Sequence, residues 1–291
     1  FDQRPLFVTT DAAPLLESLW GATASQAVAT AELLNRLESN PDALGIVAFD
    51  RVDPRFKVLT VDGVNVLDNR LDPATYPLVF AVNIKGVGAS LLASLLRPVL
   101  TPFTNRDPNQ LTTLLMTGVT AMSRGTAAHM ERAGVLSPAQ IISATFAAAD
   151  ITHISNEIPF LDDCVVNNTL NNLVLCSHTS YWATLEAVGT DIVGLSGNHV
   201  NDFGREGARR SLQFYKDNNI PIYGSGLTIE EACAPLQWED HGNTFAFFAV
   251  LAFGPESAWV TDTEPGACYY YDRKAEILDA VRKAAKEVDI V

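Results

Sequence analysis

From Leu111 onward, short apolar runs and helix-patterned stretches take strict turns, and few folds satisfy that order. Leu114 to Val119, Asp150 to Ser155, Ile192 to Leu195, Ile222-Tyr223-Gly224 and Thr244 to Ala252 read as strands. Between or after them, Arg124 to Ala133, Ala139 to Ala148, Tyr181 to Ala187, Ala208 to Asn218, Ile229 to Ala234 and Asp272 to Glu287 read as helices. Ser137 is the expected cap of the second helix, with Pro138 in its first turn and Gln140 at the capping-box position. Strand and helix in alternation predict a layered α/β domain with a largely parallel sheet. Open sheets of that kind place their chemistry outside the carboxyl ends of the strands.

The first hundred residues also alternate, on a smaller scale. Leu6 to Thr9, Leu44 to Phe49, Val58 to Val61 and Tyr76 to Val82 read as strands, and Ser25 to Leu37 and Ser90 to Leu96 as helices. Pro98, Pro102, Asn105, Asp107 and Pro108 make a turn-rich connector. It divides the chain into domains expected at 1–104 and 105–291.

Composition excludes several classes. The formal charge is -14 and no Lys/Arg cluster appears, which argues against nucleic acid as a partner. No apolar run approaches the ~18 residues that a membrane span needs. Membrane association is therefore expected only through segments outside this chain. The first residue is Phe1, and Val288-Asp289-Ile290-Val291 reads as the beginning of a buried strand, so a fragment trimmed at both ends is expected.

The four cysteines lack metal-ligand spacing. Cys164 and Cys176 flank an Asn-rich loop, where a bridge would pin a long excursion; Cys233 and Cys268 could be the second pair, which nothing in their surroundings specifies. Free buried thiols in a reducing compartment are the alternative. Asn167-Asn168-Thr169 matches a glycosylation sequon.

Three strand ends in the second domain carry candidates: Gly118 to Arg124, Asn156-Glu157 and Asn198-His199. Residues some 40 apart converge at such an edge and can surround one pocket. Gly197 is expected to turn the chain sharply after the strand at Ile192, and an amide oxygen beside an imidazole suits a metal or phosphoryl transfer. The same residues also read as a polar turn with Asp202 capping the next helix. His153 reads as a strand-face histidine and His241, in Asp240-His241-Gly242-Asn243, as part of a hairpin turn. Neither a Gly-x-Ser-x-Gly elbow nor a P-loop is present.

The series Ala149 to Glu157, Gly189 to Val193 and Asn198-His199-Val200-Asn201-Asp202-Phe203-Gly204 resembles the poly-γ-glutamate capsule-synthesis (CapA-like) branch of the calcineurin-like metallophosphatases. The likeness spans about Leu111 to Val291, and its Asn-His-x-x-Asp-x-Gly element is the most specific part. It implies Asn198 and Glu157 as metal ligands, His199 as the catalytic general acid, and Asp202 as the residue orienting the loop. Arg124 matches an arginine that follows the first strand end and, with Asn156, is assigned to substrate binding. Cys164 and Cys176 are structural. The implied cofactors are divalent ions, Mn, Fe or Zn.

The chain also departs from that pattern. The family places a Gly-Asp pair at the first strand end, where this chain has Gly118-Val119; Thr117, Thr120 and Ser123 offer only hydroxyls. The family's later His-bearing loops would follow Asp289. A dinuclear centre is therefore not expected from these residues alone.

Residues 25 to 85, through Asn40-Pro41-Asp42, Lys57 to Val64 and Asp72 to Leu78, resemble the closing half of phosphate-type periplasmic solute-binding proteins. The resemblance implies a small α/β lobe of type-2 binding fold serving as scaffold, with no ligand residue carried over. Taken together, the expectation is an exported, extracellular or cell-surface protein of capsule or poly-γ-glutamate synthesis, acting on an anionic envelope polymer or a phosphorylated substrate. Self-association at the surface is a further expected partner mode. A catalytically inactive binding or structural surface protein that kept the fold is the alternative.

Overall fold

The computed structural model describes residues 4–21, 25–81, 84–96, 104–169 and 171–291. The chain divides into two compact units, Phe1–Leu111 and Thr112–Val291.

In the first unit, β1 (Leu6–Thr9), α1 (Ala13–Trp20), β2 (Gln26–Val28), α2 (Thr30–Glu38) and β3 (Leu44–Ile46) build a three-stranded parallel sheet of order β2-β1-β3. Phe7, Val28 and Leu33 form one small core, and Val8, Ala12 and Leu16 the other. The stretch predicted as one helix from Ser25 begins instead as β2, because its first residues pair with Phe7 to Thr9. Val58–Val61 yields only a bridge between Val61 and Val64. Residues 76–81 form no strand, and Val82 lies outside the described residues. α3 (Ala89–Leu96) follows, and Arg106, 5% exposed, holds the carbonyls of Val66 and Asp68. Of the predicted connector, Pro98 and Pro102 also lie outside the described residues.

The second unit opens with β4 (Leu114–Val119), α4 (Arg124–Ala133), α5 (Ala139–Phe146) and β5 (Ile151–Ser155). Next come β6 (Phe160–Leu161), β7 (Ser177–His178), α6 (Trp182–Ala187), β8 (Ile192–Gly194), α7 (Gly204–Asp217) and β9 (Ile222–Tyr223). It closes with β10 (Ser225–Gly226), α8 (Ile229–Cys233), β11 (Leu236–Asp240), β12 (Asn243–Phe247), β13 (Gly266–Ala267) and α9 (Lys274–Ala284).

The central sheet is parallel and four-stranded, with order β4-β5-β8-β9. All three pairings are parallel, so the four carboxyl ends share one edge. Side-chain alternation splits the core in two. Ile154 and Val193 face a helical layer through Met130, Leu185, Leu212 and Tyr215, whereas Ile151 and Ile192 face Tyr223, Phe245 and Phe247. Full burial of each large aliphatic stabilises the fold by roughly 1.5–3 kcal/mol.

That second face is covered by the antiparallel β11-β12 hairpin. β11 escapes the sequence reading because Leu-Gln-Trp-Glu-Asp is half polar. His241 (φ 49°) and Gly242 (φ 76°) both take the left-handed conformation, as a two-residue hairpin turn requires. Ser137 does not cap α5: Pro138 occupies the cap position and the Ser137 hydroxyl is buried without a partner. The terminal segment makes a single parallel bridge, Ile290 to Phe245.

All four cysteines are paired, Cys164 with Cys176 and Cys233 with Cys268. The free-thiol alternative is thereby overturned.

Candidate functional site

The carboxyl ends of β4, β5 and β8 bring Val119, Glu157 and Asn198 to one edge, for reasons that can be traced in the backbone. Asn156 anchors the loop after β5. It is fully buried, and its amide nitrogen donates to the Ile158 carbonyl at 2.9 Å and to the Tyr215 hydroxyl at 2.8 Å. Both donors are spent inside the protein. Asn156 is therefore a loop anchor, which corrects its assignment to substrate binding.

Glu157, next in sequence, lies directly against Gly197. A Cβ added at Gly197 would meet the Glu157 side chain at 2.4 and 2.5 Å and its Cα at 2.7 Å. Gly197 has no positive φ. Close approach of the two strand-end loops, rather than a sharp turn, is what demands glycine here. Glu157 and Asn198 are thus held on facing loops, both partly exposed.

His199 is oriented by Asp202. Its Nδ1 lies 2.7 Å from Asp202 Oδ2, and the same oxygen accepts the Leu175 backbone N–H at 2.7 Å. The two side chains are 22% and 14% exposed, so the pair is shielded without being cut off from solvent. A carboxylate at Nδ1 fixes the orientation of the ring, leaving Nε2 to act on a ligand. Asp202 does not cap α7; Phe203 occupies that position and no side chain caps the helix. Sequence reasoning missed Leu175, because a backbone donor from a loop 27 residues away leaves no residue-type signal.

The first strand end is hydroxyl-lined and apolar. β4 shifts register between Met116 and Val119, and Val119 stands 61% exposed. Thr117 Oγ1 accepts the Ser155 N–H and contacts Thr120 Oγ1, so the local hydroxyls are engaged with the strand. Arg124 begins α4 in a left-handed conformation (φ 49°) and is partly buried. The donor types at this edge, one carboxylate, one amide oxygen and one imidazole, are of the kind divalent cations accept.

A second set of ligand atoms occurs at the opposite end of the sheet. Asp150, just before β5, and Asp240 and His241, at the β11-β12 turn, bring one ligand atom each within 4.8 Å of one another. His241 Nδ1 is 2.5 Å from Asp240 Oδ2, and that contact raises the imidazole above its ordinary value, with the Asp240 and Asp150 charges adding to it. The sequence shows His241 in a hairpin but not its meeting with Asp150, which is brought near only by the fold.

His153 is a strand-face residue, as its alternation predicts. It is 3% exposed, stacks on Phe247, and shares a 2.8 Å hydrogen bond between Nε2 and the Tyr223 hydroxyl. Burial holds it below the usual histidine range and pushes Tyr223 up to about 12. Asp163, on the loop after β6, pairs with Arg210 at 2.7 Å.

A parallel sheet with helices on one face and a hairpin on the other makes a layered α/β domain consistent with a metallophosphatase-like fold, its carboxyl edge carrying Glu157, Asn198 and a carboxylate-held His199. Residues 113–291 match the family described as Bacterial capsule synthesis protein PGA_cap, and the chain belongs to that family. It is accordingly a CapA-like protein related to capsule synthesis. No curated protein matches the chain. The two disulfides are compatible with an exported protein, and no helix among the described residues is long and apolar enough to cross a membrane.

Proposed function

We propose that the 112–291 unit is an exported cell-envelope phosphoester hydrolase serving the synthesis of capsule or a poly-γ-glutamate-type polymer. The observation that carries this reading is the His199–Asp202 pair beside the Glu157–Gly197 contact. Glu157 and Asn198 would hold a divalent cation, Mn, Fe or Zn, which when bound supplies Lewis acidity and lowers the pKa of a coordinated water. The chain's own residues do the remaining work. Asp202 orients the imidazole, His199 Nε2 delivers a proton to the leaving oxygen, and Asn156 and Gly197 hold the two loops in register. The first unit is read as a scaffold of solute-binding type.

A second reading rests on a specific observation. Val119 replaces the family's carboxylate at the first strand end, which favours a binding or structural protein that kept the fold and lost turnover. Metal analysis of the purified protein and of Glu157→Gln separates the two. The hydrolase reading expects a stoichiometric transition metal in the wild type and its loss in the variant; a wild type without stoichiometric metal sinks it.

A further inference from the structure

A pocket of about 500 Å³ lies at the start of α7, walled mainly by residues between Glu256 and Arg273. Its volume falls in the range of small-ligand sites. Two aromatic rings build part of that wall: Trp259 and Tyr269 stack with centroids 3.6 Å apart and planes 13° from parallel. Each ring keeps one face that the other does not cover. Trp259 Nε1 donates to the Phe253 carbonyl at 2.9 Å, which fixes the indole in its plane.

The wall is held before any ligand arrives. Arg205 donates to the carbonyls of Trp259 and Pro265, and Asn201 to those of Ser257 and Pro265, so the wall is tied to the stretch that follows His199. Cys268, next to Tyr269, is bridged to Cys233 in α8. A preformed wall leaves a ligand little protein motion to freeze.

The charges in the lining are unevenly matched. Arg273 pairs with Glu276 at 3.0 Å, and Arg205 is engaged with backbone carbonyls. Glu256, Asp262 and Asp272 also line the pocket, are exposed, and have no hydrogen-bond or ion-pair partner for their carboxylates among the described residues. The pocket therefore offers acceptors without donors beside an aromatic face. An anionic ligand would meet three carboxylates, and an ammonium would meet two guanidinium groups. A neutral ring carrying several hydroxyls meets neither penalty. Its O–H groups donate to carboxylates, and its polarised C–H groups suit the negative face of an aromatic ring.

We propose that this pocket binds a neutral pyranose unit of a glycan, stacked on a free face of the Trp259–Tyr269 pair with hydroxyls donating to Glu256, Asp262 and Asp272. The proposal goes beyond the hydrolase reading and does not rest on it.

The test is calorimetric titration of the full chain in EDTA with cellotriose, maltotriose, tri-N-acetylchitotriose and, as a cationic control, spermidine. At least one trisaccharide should bind with a Kd of about 1 mM or tighter, and more tightly than spermidine. Trp259→Ala should abolish that binding, but it also removes packing against Tyr269. Asp262→Ala/Asp272→Ala, altered at exposed positions without a partner, therefore carries the decision: it should weaken the same trisaccharide at least about 10-fold with an unchanged melting temperature. No binding by any trisaccharide, or an affinity that survives in the double variant, overturns the proposal. Spermidine binding tighter than every trisaccharide also overturns it and makes the pocket a cation site. Because metal is absent and no turnover is read, a failed hydrolase reading leaves these affinities where they are.

Discussion

Asp202 Oδ2 is shared between His199 Nδ1 and the Leu175 N–H, each at 2.7 Å. One carboxylate oxygen therefore ties the strand-end loop after β8 to the disulfide-closed loop after β6. A ring held this way is pre-positioned before any ligand arrives. Asp202→Asn keeps the shape but replaces the charge, so it should lower phosphodiesterase turnover about 10- to 100-fold with little change in KM. Equal loss in kcat and folding midpoint would mean that Asp202 acts through stability alone.

Gly197 faces Glu157 at less than any real Cβ separation. Gly197→Ala should destabilise the second unit by about 1–3 kcal/mol, as overpacking does, and displace Glu157. Urea midpoints of Gly197→Ala, Glu157→Gly and Gly197→Ala/Glu157→Gly give the coupling. If removing the Glu157 side chain recovers none of the loss, the contact is not the cause.

The disulfides contribute through the unfolded chain as well as through the site. They close loops with sequence separations of 12 and 35, for which the chain-entropy estimate is about 3 and 4 kcal/mol. Cys164→Ser/Cys176→Ser should therefore cost less stability than Cys233→Ser/Cys268→Ser, yet cost more turnover, because it alone loosens the loop that supplies Leu175 N–H. The opposite order of turnover losses would break the proposed link to Asp202.

His153 makes stability depend on pH. Burial depresses its folded-state pKa, so below the unfolded value of about 6.5 the unfolded chain takes up a proton that the folded chain resists. The contribution is complete above about pH 6.5 and is lost as pH falls towards the depressed folded value. Urea midpoints at pH 7.5 and 5.5 should differ by more in the wild type than in His153→Gln. An identical difference in both would assign the effect to other groups.

Much of the architecture was legible because periodicity records it. β4, β5, β8 and the helices between them follow apolar runs long enough to choose between period 2 and period 3.6. The reading failed where pairing decides: β2 forms from residues that pattern as helix because β1 offers it a partner, and β11 exists because β12 pairs with it along its whole length. At the site, Glu157, Asn198 and His199 were visible as strand-end residues. The burial of Asn156 was not, since a polar residue at a strand end looks the same whether its amide meets solvent or Tyr215. The Asp150–Asp240–His241 group was hidden for a related reason, as two of its members lie 90 and 91 residues from the third.

The central claim is that the Glu157, Asn198 and His199 edge performs metal-dependent phosphoester hydrolysis. The most direct test is hydrolysis of an aryl phosphodiester by the metal-reconstituted protein and by His199→Ala, with metal content measured on the same samples. The claim predicts turnover in the wild type, a loss of about 100-fold or more in the variant, and equal metal in both. Equal rates in wild type and variant, or no turnover in a wild type that carries metal, would contradict it.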